Sequence, residues 1–162
     1  MKLSNNFSLE ELTKSQEAIR LGIPNEPNSD HIFNLQLLCQ YILQPVRDNF
    51  NLPVTVSSGY RSAELCEQIG SSSKSQHTKG EAADFEVFGL ANKEVSDWIV
   101  KNLDYDQCIL EFWTSDEPNS GWIHCSYRTT WHSCWCAGSG YRWIGHQRRL
   151  RDLPEQCARM GS

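Results

Sequence analysis

Two runs of alternating positions in the second half of the chain read as strands. In Ala82–Val87, A-A-D-F-E-V, period-two alternation sets Ala82, Asp84 and Glu86 on one face and Phe85 and Val87 on the other. In Trp122–Tyr127, W-I-H-C-S-Y, His124 and Ser126 share a face against Ile123, Cys125 and Tyr127. Leu52–Ser58, β-branched and alternating, and Gln107–Phe112 read as two further strands.

Helical spacing occupies most of the rest. Ser8–Arg20 opens with S-L-E-E, a capping-box pattern, and carries Leu9, Leu12 and Ile19 as an apolar stripe that Gly22 stops. Ser29 or Asp30 is expected to cap a longer helix through Ile32, Leu35, Leu38, Ile42 and Val46, which Pro45 should kink near its end. Ser62 caps a short helix to Ile69, and a helix carrying Val95, Trp98, Ile99 and Leu103 follows Gly89–Asn92. Sparse strands separated by helices predict an α+β domain on a small antiparallel sheet flanked by helices. Past Thr129 the periodicity fails, so the expected organisation is one domain over 1–128 and a Cys/Trp/Arg-rich tail over 129–162.

Composition narrows the class without naming a function. At 162 residues, 39% hydrophobic and with six Trp, the chain is long enough for one real core. No apolar run approaches the roughly 18 residues that span a bilayer. The N-terminus has no apolar signal region, which predicts cytoplasmic synthesis with later release. Seven cysteines cannot all pair within one chain, and most are expected to be reduced core residues.

The net charge of −5 is unevenly spread. Residues 1–136 carry a balance of −8, and residues 137–162 one of +3 through five arginines. A solvated end accounts for this tail more simply than attraction to an anionic polymer. No nucleic-acid motif accompanies the arginines, so no nucleic-acid partner is expected, and a monomer is favoured.

The chemistry concentrates in Ser75–Val87, S-Q-H-T-K-G-E-A-A-D-F-E-V, and in W-I-H-C-S. If the two strands are neighbours, Asp84 and His124 converge, and the loop bearing His77 closes over them with Gly80 at its turn. Two imidazoles and a carboxylate suit a Zn²⁺ ion with a fourth position left for water. The alternative is three hydrogen-bonded structural residues, because a His-x6-Asp spacing is common by chance. His132, Cys134, Cys136 and Cys157 offer a second metal cluster on paper, but H-x-C-x-C fits ordinary thiols better than the usual Cys-x2-Cys spacing. Trp131, Trp135 and Trp143 suit either glycan stacking or a buried aromatic cluster.

Over about residues 5–128, S-x-H-x-x-G-x-A-x-D-F followed by W-I-H-x-S resembles the zinc peptidases that cut bacterial cell-wall peptides. These include D-alanyl-D-alanine carboxypeptidases and the L-alanyl-D-glutamate endopeptidases used as phage endolysins, and they share the hedgehog-domain fold. The resemblance implies zinc bound by His77, Asp84 and His124, with a peptidoglycan stem peptide as substrate. It also implies that Arg61, in V-S-S-G-Y-R, contacts the substrate or its polarised carbonyl; a surface arginine capping the turn is the alternative. Ser75, Ser126, Tyr60 and Trp122 are the supporting or substrate-facing candidates. Many relatives carry an acid or histidine three residues before the last ligand, where this chain has Gly121. Glu111 is then the expected general base, with Asp116 and Glu117 behind it. The competing class is a non-catalytic zinc-containing module that binds cell wall or a virion partner.

Overall fold

The structure, a computed structural model, describes residues 1–129 and the backbone of Arg142–Trp143. The expected α+β class holds. Strands β1 (Val54–Ser58), β2 (Ala82–Val87), β3 (Gln107–Glu111), β4 (Trp122–Ser126) and the two-residue β5 (Arg142–Trp143) form one sheet in the order β1-β2-β4-β3-β5. All its neighbours are antiparallel. The remainder of the 129–162 tail, with His132, Cys134, Cys136 and Cys157, lies outside the described residues.

Register sorts the sheet into two faces. Ala83, Phe85, Cys108, Leu110, Ile123 and Cys125 are buried in the core. Against them pack Leu35 and Leu38 of α3 (Ser29–Leu38), Val46 of α4 (Gln44–Phe50), and Val95 and Ile99 of α6 (Asn92–Asn102). On the opposite face lie Asp84, His124 and Ile109, and beside them the pair Glu111 and Trp122. One face holds the protein together and the other is left for chemistry.

The N-terminal helix is broken where the sequence pattern is continuous. Ser8 caps α1 (Leu9–Thr13), accepting from the Glu11 N–H at 3.2 Å. Ser15 then caps a second helix, α2 (Gln16–Leu21), by accepting from the Ala18 N–H. The new start puts Ile19 out of phase with Leu12, and Ile19 is 72% exposed instead of joining an apolar stripe. The next helix starts one residue before expectation, with Asn28 accepting from the His31 N–H at 2.9 Å.

The helix is irregular just ahead of Pro45. A π-helical turn over Cys39–Leu43 joins α3 to α4, and the Gln44 N–H reaches the Cys39 carbonyl. Proline has no N–H to give the carbonyl four residues back, and the wider turn just ahead of it sets Pro45 in the first turn of α4. The short helix α5 (Ala63–Gln68) begins at Ser62, as the sequence indicates. Cys39, Cys66, Cys108 and Cys125 are free and buried. Among the described residues, no helix is long and apolar enough to cross a membrane.

Candidate metal centre

Asp84 of β2 and His124 of β4 are direct partners in the antiparallel ladder, so their side chains rise from the same face. His77 arrives on a 3₁₀ turn, Gln76–Lys79, just before β2. Ser75 caps that turn, its hydroxyl accepting from the His77 N–H at 3.4 Å. Gly80 ends it with φ of +69°, and a Cβ there would stand 2.4 Å from the His31 carbonyl oxygen. Only glycine meets both demands.

The three side chains converge. Asp84 Oδ1 lies 2.8 Å from His124 Nδ1 and 3.2 Å from His77 Nε2, and all three residues are buried. Their donor atoms lie within 4.8 Å of one another. Tetrahedral bonds of 2.0–2.2 Å put ligand atoms about 3.3–3.6 Å apart, so small adjustments would bring this set round one cation. The far nitrogen of His77, Nδ1, is 2.6 Å from the Gly59 carbonyl oxygen. That contact fixes the ring and leaves Nε2 turned to the centre, as histidines that hold metals are commonly oriented. Burial alone would raise the Asp84 carboxyl, but hydrogen bonds with His124 and His77 outweigh it and hold it well below the ordinary carboxylate range.

Arg61 belongs to this cluster. Its Nη2 donates to Asp84 Oδ2 at 2.7 Å and its Nε to Ser58 Oγ at 2.6 Å. Ser58 reaches that position because β1 slips register between Val56 and Ser58, which sets Ser58 opposite Asp84. Such irregularities re-aim a side chain at a strand end.

Glu111 ends β3 opposite Trp122. Burial first, and then the neighbouring Asp84 charge, push its carboxyl upward from the ordinary glutamate value. Asp116 and Glu117 are exposed in the following loop. Position 121 has a physical reason for carrying no acid. Gly121 has φ of +65°, and a Cβ built there would fall 1.8 Å from the Glu111 carbonyl oxygen. Asn92, 1% exposed, donates to the Ser120 and Gly121 carbonyls at 3.2 and 2.9 Å and ties this loop to α6.

The remaining candidates divide. The Trp122 indole leans on Phe112 with ring centroids 5.1 Å apart, and its side chain faces the paired Glu111 carboxyl, whose charged form it favours against the larger effect of burial. The Ser126 hydroxyl is taken by the Gln107 N–H at 3.0 Å. Tyr60 is 5% exposed and packs against His31, with its backbone N–H bound to the Leu12 carbonyl.

One group has no counterpart in the sequence reading. Asp106 Oδ2 accepts from Gln76 Nε2 and from Arg128 Nε, each at 2.8 Å, and so pins the residue next to His77. Gln76 stands beside His77 in sequence, but nothing in its local pattern points across thirty residues to Asp106.

A family model described as Peptidase M15 matches residues 5–126. No curated protein matches the chain.

Proposed function

Because the chain belongs to the peptidase M15 family, a family of metal-dependent peptidases, we propose that it is a zinc enzyme hydrolysing an amide bond in peptidoglycan stem peptides. The carrying observation is the buried His77–Asp84–His124 set, whose three donor atoms face one point. His77, Asp84 and His124 would hold the ion. An ion held there would supply Lewis acidity, for a scissile carbonyl and for a water that could give hydroxide near neutral pH.

This chain's own residues do the rest. Glu111 takes the proton of the attacking water on its carboxylate and passes it to the departing amine. Its raised affinity for a proton suits both halves of that transfer. Arg61 keeps Asp84 Oδ2 engaged, so that Oδ1 stays turned to the histidines. The Arg61 guanidinium is also the nearby cation suited to charge developing on the carbonyl oxygen.

The reading predicts near-stoichiometric zinc in the purified protein and chelator-sensitive cleavage of muropeptides. Cleavage should be lost in Glu111→Gln while zinc is retained. Product masses separate a D-Ala-D-Ala carboxypeptidase from an L-Ala-D-Glu endopeptidase.

A non-catalytic zinc module is the second reading, and Gly121 is the observation in its favour. Zinc without cleavage of any muropeptide selects it.

A further inference from the structure

Arg61 has a second neighbourhood. A cleft of about 480 Å³ opens beside it, walled by Val56, Leu65 and Ile69 and edged by Lys14 and Glu17. Arg61 and Ser58 line the same cleft, and Arg61 also donates to Asp84, so this one side chain stands between the cleft and the donor set.

Two cations, Lys14 and Arg61, and one anion, Glu17, line the cleft. Glu17 is already taken, its Oε2 accepting from Arg20 Nε at 3.1 Å. Lys14 is exposed, and its ammonium has no ion pair or hydrogen bond among the described residues. Arg61 engages Ser58 through Nε and Asp84 through Nη2, while Nη1 meets no described partner. A cleft with an apolar wall, a lysine at its rim and a half-engaged guanidinium at its inner end is complementary to an anionic peptide.

We infer that this cleft receives the peptide segment flanking the scissile bond and that Lys14 pairs with a free carboxylate on that segment. The inference rests on the peptidase reading above. Lys14 stands at the end of α1, outside the core, so its replacement leaves the packing intact. An exposed lysine–carboxylate pair is worth up to about a 5-fold change in affinity, and salt weakens it.

The test uses two synthetic stem peptides that differ only in one residue beside the scissile bond, which carries a free carboxylate or its primary amide. KM is measured with the zinc-loaded full-length protein, and Kd is measured by calorimetry with its Glu111→Gln variant. The carboxylate peptide should bind about 3- to 5-fold more tightly at low salt. That preference should vanish in Lys14→Gln, reverse in Lys14→Glu and shrink as salt is added. Equal affinity for the two peptides, a preference that survives both lysine variants, or no measurable binding of either peptide overturns the inference. If neither peptide is cut by the unaltered protein, the peptidase reading fails, while the binding measurements still decide the role of the cleft. If both are cut with the same KM, the peptidase reading stands and the cleft assignment falls.

Discussion

Asp84 and His124 sit directly across from each other on adjacent antiparallel strands, with His124 Nδ1 2.8 Å from Asp84 Oδ1. Two of the three donors are therefore held by the hydrogen-bonded ladder of the sheet itself, over a core in which Phe85 and Ile123 are fully buried. Neighbouring strand atoms move little relative to one another, so two of the three donors are preorganised.

Replacing Asp84 should damage binding and folding together. Asp84→Ala removes the acceptor for Arg61, His77 and His124 at once, leaving a largely buried guanidinium without its partner. A loss of about 3 kcal/mol in unfolding free energy is expected, read by denaturant titration. Asp84→Asn keeps the shape but not the charge. It should lose metal with a smaller loss of stability, measured by metal content and denaturation on the same sample.

The acid side of the activity profile should report Glu111. Burial and the Asp84 charge both disfavour its ionised form, so it stays protonated to a higher pH than an ordinary glutamate. A base must be ionised to act, so kcat/KM should rise with pH as Glu111 ionises and fall away as it takes up a proton. Glu111→Gln should reduce kcat by about 10²- to 10⁴-fold with metal content unchanged. An acid limb that persists unaltered in the variant's residual activity would assign that limb to another group.

Installing an acid at position 121 should harm the protein. In Gly121→Glu the new Cβ meets the Glu111 carbonyl oxygen, and the backbone is in the left-handed region. The conformation alone costs about 1–2 kcal/mol for a residue with a side chain, and relief of the clash must move β3 or the loop. A lowered melting temperature and lowered activity are expected. Activity above that of the unaltered protein would show that the loop rearranges readily.

The Asp106 link should be visible in metal affinity. Asp106→Ala removes the acceptor that Gln76 and Arg128 share while leaving His77, Asp84 and His124 in place. Outer supports of metal ligands are worth about 10- to 100-fold in affinity, which a competition titration against a chelator would resolve. Asp106→Asn retains an acceptor for Gln76 and should restore part of the loss.

The donors were readable in the sequence because each strand announces its own faces. Alternation in A-A-D-F-E-V and W-I-H-C-S placed Asp84 and His124 on defined sides, and antiparallel pairing brought those sides together. Local signals at helix starts, such as Ser8 and Ser62, were equally legible. What the sequence concealed depends on distant partners. The break at Ser15 comes from a second cap competing within one apolar pattern. The grip of Arg61 on Asp84 needs the slip in β1. The Gln76–Asp106–Arg128 link spans segments that no local periodicity relates.

His77 alone rides on a four-residue turn, while its two companions are woven into the sheet. A cation gripping all three would act as a fastener between a loop and a plank. Loading should therefore stiffen the approach through Ser71–Lys74 far more than it stiffens the strands. Slower proteolytic nicking of that approach would be the outward sign of a filled centre, before a single peptide had been cut.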